Sequence, residues 1–514
     1  MKSRFAYIVF ALVLLLLGDE WVIAQSGEGG PAVDKHYASS ALKGLKAPAT
    51  PATQWPTPDL RSFAEPLKEE RPSEVNPQKE YELTELIDLA EHANPETKVA
   101  WARAREAASA VGLAQSEYYP LLALKASAGY ERLAFPIPTS PHTAGFMDLE
   151  MQQAFPVATL EWVLLDFGRR AASVGAARER LLAANLGFNA RHQEIVFKVQ
   201  SAFYRLSTVR GRITVAQTAL ESALKVQEAA EERHTHGLAT APDVSLARQQ
   251  AVQAAFDVEE VASKERDAQV TLAENIGILP TTPIHVADFS RLPLPTRLEE
   301  VVEKIIDRTL EQRPDLLARV AILREKEAEI RRARAAYLPT LSVLGEAGGA
   351  FERAQVAVEG TSLPTTSTQQ PAWGVGLALT WTLFDGRARK RKLEIARSER
   401  EAAQHELEDA RDKAISQVWR FYTDTKLAIR RLEVAAALVE ASEKSYQQTF
   451  EAYQNGLSSL VDVLGARREL SQAKYTQLDT RATLLESTAA LAFASGDLGP
   501  QLWNRKPGTM NTKP

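Results

Sequence analysis

Asp243 and Asp462 are the side chains whose type and placement most invite chemistry, one acid in each of two similar surroundings. Both stand early in an expected helix, where the positive end of the dipole favours a carboxylate by roughly 0.3–1 kcal/mol. That capping role accounts for them without any reaction. His234 and His236, beside Glu231 and Glu232, suggest a metal site or a proton switch. No third histidine lies near, and two histidines two apart at a helix end are more often solvated than ligating. The chain has no phosphate-cradling glycine loop, nucleophile elbow or clustered metal-ligand set. Its 514 residues include no cysteine, which removes disulfides, thiolate metal sites, thiol nucleophiles and a lipidated cysteine together. No catalytic residue, cofactor or metal is therefore expected, and the chain is not read as an enzyme. Lys plus Arg is 61 against Asp plus Glu at 66, a near balance that argues against nucleic acid.

The elements that must carry these residues begin after an export signal. Residues 1–24 read as a signal peptide: Lys2 and Arg4, an apolar run from Phe5 to Leu17, and Val22-Ile23-Ala24 as a cleavage site. The run is too short for a stop-transfer helix, and no later stretch approaches ~18 uninterrupted apolar residues. Residues 25–80, rich in Pro, Ala, Ser and charge, predict an extended or disordered arm. Order should start near Leu83, where Leu83, Leu86, Ile87 and Ala90 make a helical stripe.

A repeat dominates the rest of the chain. Asn94-Pro95-Glu96 returns 219 residues later as Arg313-Pro314-Asp315, and Tyr119-Pro120 as Leu338-Pro339. Trp162 matches Trp381, Asp166 matches Asp385, Gly237-Leu238 matches Gly456-Leu457, and Gly277 matches Gly496 at the same spacing. The duplication divides the chain into 81–297 and 298–500, with 501–514 as a flexible tail. Each copy predicts a helix (Pro95–Tyr118; Pro314–Tyr337), two strands, and a very long helix (about 170–233; 387–453). A glycine turn then leads to a returning helix (about 242–275; 460–494). In the first long helix Val174, Leu181, Phe188, Ile195, Ala202 and Val209 are seven apart, and Val199, Leu206, Ile213 and Leu220 form a second ladder. Two adjacent ladders make a stripe that packs against neighbours on two sides. Charged runs such as Arg324-Glu325-Lys326-Glu327 read as solvated surface.

The strands are short amphipathic segments of about 10 residues, as a membrane barrel requires. Leu122, Leu124, Ala126, Ala128 and Tyr130 share one face; Ala158, Leu160, Trp162 and Leu164 share another. Val375, Leu377, Leu379, Trp381 and Leu383 do the same in copy two. Tyr119, Trp162, Tyr337 and Trp381 gather at strand ends, as in an interfacial belt facing lipid. Four such strands in one chain cannot close a barrel, and lipid does not tolerate open edges. Closure therefore demands an oligomer; two chains would give eight strands and three would give twelve with room for a lumen.

This order of elements, given twice, resembles the TolC-like outer-membrane efflux protein family over about residues 83–500. The matching motifs are Leu164-Leu165-Asp166-Phe167-Gly168-Arg169 and Leu383-Phe384-Asp385-Gly386-Arg387. A more specific one is Tyr453-Gln454-Asn455-Gly456-Leu457 followed by Leu460-Val461-Asp462-Val463-Leu464. The resemblance implies a mixed, mainly α fold, an internally duplicated long-helix barrel with four transmembrane β-strands per chain that closes twelve strands as a homotrimer. It implies a passive exit duct of a tripartite efflux or type I secretion system, set in the outer membrane with a long periplasmic extension. A periplasmic adaptor would dock at Gly237, Leu238, Gly456 and Leu457, and an inner-membrane transporter of RND or ABC type would supply the energy and choose the cargo. Asp243 and Asp462 would line the periplasmic aperture. Some relatives carry a second aspartate three residues on; here Leu246 and Gly465 stand there, so the ring would be less charged. The competing reading is a soluble periplasmic coiled-coil adaptor or scaffold protein.

Overall fold

The computed structural model of the chain describes residues 75–498 apart from 77, 141–142, 288–293, 299 and 359–360, with backbone alone at 138–140, 143 and 144. The signal peptide, the arm up to residue 74 and the tail lie outside the described residues. In chain order the elements are β1 Glu80–Tyr81, α1 Leu83–Ala93, α2 Pro95–Ser116, β2 Leu121–Ser140, β3 Thr143–Leu165, α3 Arg169–Thr235 and α4 Ala241–Ile276. They continue as β4 His285–Val286, α5 Val302–Gln312, α6 Pro314–Ala335, β5 Thr340–Val358, β6 Thr361–Ser362, β7 Thr366–Thr380, α7 Ala388–Gln454 and α8 Leu460–Ser495.

Corresponding helices of the two copies have the same lengths, 11, 22, 67 and 36 residues. At 1.5 Å per residue α3 and α7 each span about 100 Å. Such length survives only with lateral support, and the shorter helices supply it. α2 and α4 both lie along α3, and α6 and α8 both lie between α3 and α7. Each short pair meets end to end. The Asn94 amide at the start of α2 donates to the Asn275 carbonyl at the end of α4 (2.8 Å), and Arg313 donates to the Ala494 carbonyl (3.3 Å) at the equivalent joint. Gly277 ends α4 at φ +89°, and a Cβ there would lie 2.7 Å from the Asn94 Cα, so only glycine lets the two helices abut.

The ladders explain the packing. Val199 and Leu206 are fully buried, as are their copy-two counterparts Val418 and Thr425. The other ladder continues down α3 as Ala202, Ala216, Ala223 and Ala230, all buried, whose small side chains let neighbouring helices approach closely. The largest core lies at mid-length, where α1 and the β1–β4 pair cover α3: Leu86, Ile87, Ile195, Leu272, Ile276 and Val286 meet there. Burying each such side chain contributes about 1.5–3 kcal/mol. Tyr81 joins this cluster, and so does Val75, so that residue of the stretch read as an arm is packed. α5 is a helix the sequence reading passed over; Val302, Ile305 and Thr309 bury the stripe that Leu83, Leu86 and Ala90 carry in α1.

The four long strands form one antiparallel sheet in the order β2-β3-β5-β7, with the short β6 beside β5. They run to 20, 23, 19 and 15 residues, well beyond the expected ten. Register brings the three predicted apolar rows to one face: Leu122 opposes Leu160, Leu160 opposes Gly345, and Gly345 opposes Val375. The next row is Leu124, Ala158, Ala347 and Trp373. The other face carries Lys125, Glu161 and Glu346 among small residues. Among the described residues no helix is long and apolar enough to cross a membrane.

Candidate functional site

Two places concentrate the residues singled out in the sequence: the sheet-to-helix junction and the glycine turns at the far end of the long helices. At the junction the chain turns through left-handed backbone at Phe167 (φ +52°) and Gly168 (+90°), and at Gly386 (+63°) and Arg387 (+72°) in copy two. Asp166 holds this turn by accepting from the backbone N–H of Arg170 (2.8 Å) and from its Nε (3.0 Å). The Arg170 guanidinium then donates to the carbonyls of Glu117, Val163 and Leu164 and lies 4.7 Å from the Tyr118 ring. Arg389 repeats the contact with Asp385 (2.7 Å) and covers Tyr337. The arginine four residues after each aspartate escaped the sequence reading, although the repeat spacing marks it; only the geometry reveals that it ties the sheet to α3 and α7.

The aromatics lie at this same end of the sheet. Trp162 donates its indole N–H to the Tyr118 carbonyl (2.9 Å) and Trp381 to the Tyr337 carbonyl (3.1 Å). Tyr119, Trp162, Tyr337 and Trp381 all keep large exposed ring surface. That combination of apolar body and anchored polar edge suits an interface.

At the opposite end Gly237 (φ +73°) and Gly456 (+77°) close α3 and α7. Leu238 N–H donates to the Arg233 carbonyl (2.7 Å) and Leu457 N–H to the Ala452 carbonyl (2.8 Å), the six-to-one bond of a glycine-terminated helix. Leu238 and Leu457 project into solvent, 66% and 83% exposed. One residue joins the two turns. Arg233 donates from Nη1 to the carbonyls of Tyr453 (2.8 Å) and Gln454 (3.3 Å) while its guanidinium lies 4.9 Å from the Tyr453 ring. No sequence signal singled it out, because the matching position in copy two is Ala452.

Asp243 and Asp462 are both third residues of capping boxes. Asp243 Oδ2 accepts from Thr240 N–H (2.9 Å) and Thr240 Oγ1 (2.7 Å); Asp462 Oδ2 accepts from Ser459 N–H (3.1 Å) and Oγ1 (2.6 Å). The hydroxyl and backbone bonds hold both carboxyls below their ordinary value of 3.8. Leu246 leans on the apolar cluster of Val226, Tyr453, Leu460 and Val463 below the turns. Burial raises the Tyr453 phenol. His234 Nδ1 lies 2.9 Å from the Ala239 carbonyl, a bond that fastens the turn. The run read as solvated surface departs from that reading: Glu325 is buried and accepts from Arg180 of α3 (Nε, 3.1 Å), and Lys326 pairs with Glu399 of α7 (2.9 Å). A helix flanked on two sides has little free face to solvate.

A four-stranded apolar-faced sheet standing on paired long helices is the architecture of a channel wall. The model of the outer membrane efflux protein family matches residues 86–277 and 305–497, and the chain belongs to that TolC-like family of the outer membrane, with a long periplasmic helical extension. Protein CyaE of Bordetella pertussis is 27% identical over 452 residues, 88% of each chain. The pyoverdine export outer membrane protein OpmQ of Pseudomonas putida is 25% identical over 471 residues, 88% of this chain and 89% of that one. Among solved structures, the Campylobacter jejuni CmeC outer membrane channel superposes with a TM-score of 0.68 at 18% identity, covering 88% of this chain and 95% of that chain. Membership sets aside the soluble scaffold considered from the sequence.

Proposed function

We propose that three copies of the chain close a twelve-stranded barrel over a helical tunnel and serve as the passive exit duct of a tripartite efflux or type I secretion system. The carrying observation is the open sheet. The outer edges of β2 and β7 have no partner among the described residues, while Val375, Leu377 and Leu379 on β7 are each about 70% exposed on the apolar face. Unpaired edges and bare apolar surface are tolerated in a membrane only when another strand closes them. The Gly237-Leu238 and Gly456-Leu457 turns form the periplasmic tip on which an adaptor docks, and an inner-membrane transporter selects the cargo. Asp243 and Asp462 line the aperture beside that tip, and Tyr119, Trp162, Tyr337 and Trp381 mark the periplasmic membrane interface. Detergent extraction tests the reading: the protein should need detergent and run as a heat-labile trimer, and a monomer released with the soluble periplasm would refute it. Replacing Asp243 and Asp462 together by Asn should raise conductance in planar bilayers; unchanged conductance and ion selectivity would remove them from the aperture.

A further inference from the structure

α7 leaves one flank bare, and the internal repeat indicates what belongs there. Within the chain α3 packs against α8 around a marked centre. Arg212 donates from Nε to Asp479 Oδ1 (3.0 Å) and from Nη2 to Oδ2, and its guanidinium lies 5.7 Å from the Tyr475 ring. Beside it a Cβ on Gly211 would meet Leu478 Cδ2 at 3.1 Å. The spacing of 219 carries α3 onto α7 and α8 back onto α4. Under it Arg212 becomes Arg431, Asp479 becomes Glu260 and Tyr475 becomes Phe256; Gly211 and Leu478 become Arg430 and Glu259. The cation, anion and aromatic of the internal contact are reproduced in type, and a second charge pair is added.

α4 and α7 lie on opposite flanks of one chain, so this set can form only between copies. The same register sets Val434 level with Phe256 and Leu438 level with Val252, side chains that are 69%, 64%, 46% and 64% exposed in the single chain. Glu260 holds only Lys264 one turn away (2.6 Å), an exposed pair of small worth that yields readily to a second cation. We propose that Arg431 of one copy clasps Glu260 and covers Phe256 of the next, with Arg430 beside Glu259, in the register of the internal Arg212–Asp479–Tyr475 contact. The inference rests on the trimer reading above and adds the residues that would hold neighbouring tunnels together.

The chain has no cysteine, so introduced pairs report without background. Glu259→Cys with Arg430→Cys, in the full chain in its membrane, should give reducible dimer and trimer bands after oxidation and boiling. The internal counterpart, Gly211→Cys with Leu478→Cys, should link within one chain. Arg266→Cys with Arg430→Cys, about two turns out of register, should stay unlinked. A heat-labile trimer that links only through the displaced pair, or through neither, overturns the register while leaving the trimer intact. An unlinked monomer in the unboiled sample overturns both. The charge swap Arg431→Glu should lower the dissociation temperature of the trimer, and adding Glu260→Arg should restore it; a swap that restores nothing counts against the clasp.

Discussion

The two long helices have the same length and parallel surroundings in sequence, yet α3 buries nineteen residues and α7 only eight. α3 has helices on both flanks, α2 and α4 on one and α6 and α8 on the other, whereas α7 has α6 and α8 along one flank, with the short α5 against it, and no long helix along the other among the described residues. The sheet is shared evenly, each copy giving one strand paired on both sides, β3 or β5, and one edge strand, β2 or β7. Copy two ends in a surface whose exposed Trp419, Val434 and Leu438 repeat the helical spacing of a packed face. The difference fits the proposal that the duplication built this helix interface once inside the chain and left its second instance for a neighbouring copy.

Substitutions at matched positions sharpen this comparison. The largest effect is expected at the sheet-to-helix junction. The Arg170–Asp166 pair keeps 7% of each side chain exposed, against 16% and 22% for Arg389–Asp385. Arg170→Ala leaves a buried carboxylate and should cost about 3–5 kcal/mol, seen as loss of assembled protein or a lower melting temperature in detergent. Arg389→Ala should cost clearly less, because that pair is more open to solvent; equal losses would mean that the two junctions are equally sealed. Next come the helix joints. Gly496→Ala should cost about 1–2 kcal/mol for its left-handed backbone alone. Gly277→Ala should exceed it, because its Cβ would meet Asn94 Cα at 2.7 Å where that of Gly496 meets Arg313 Cα at 3.2 Å. Equal melting shifts for the two would show that the first joint can slide.

Smaller effects belong to the tip. Arg233→Ala removes the charged bonds that tie the first turn to the second, and should speed amide exchange at Gly456 and Leu457 with about 1–2 kcal/mol of local destabilisation. Unchanged exchange there would mean the turns hold without it. The pH effect is smaller still. Asp243 and Asp462 have folded pKa values below 3.8, so their caps contribute fully above that value and are lost as pH falls through the lowered pKa. Exchange at Thr240 and Ser459 should therefore rise only below pH 3.8; a rise near neutrality would require another titrating group.

Much of the fold was legible because local patterns and tertiary packing agree. The proline at the first turn of α2 and α6, the heptad ladders and the closing glycines set helix limits that differ from the observed ones by only a few residues. The segments next to the helices, residues 122–130, 158–164 and 375–383, alternated cleanly enough to give the face that register later assembled. Beyond them the pattern fails: Glu131, Arg132, Pro136, Asp148 and Glu150 put charge and proline where a membrane strand would alternate, yet the hairpin continues because cross-strand pairing persists. α5 was hidden by its short stripe. Arg170 and Arg389 stand in the repeat, but their bonds to backbone carbonyls leave no trace in the sequence, and Arg233, which has no counterpart in copy two, reaches carbonyls of the other turn that no spacing encodes. Glu325 misled because a charge on a doubly flanked helix pairs across the interface instead of meeting water.

The central claim is that one chain is an incomplete wall. Native mass spectrometry of the detergent-extracted protein tests it most directly. Three chains in a single particle, collapsing to one on heating, is the predicted result. A stable single-chain particle, or a chain recovered without detergent from the soluble fraction, would contradict it.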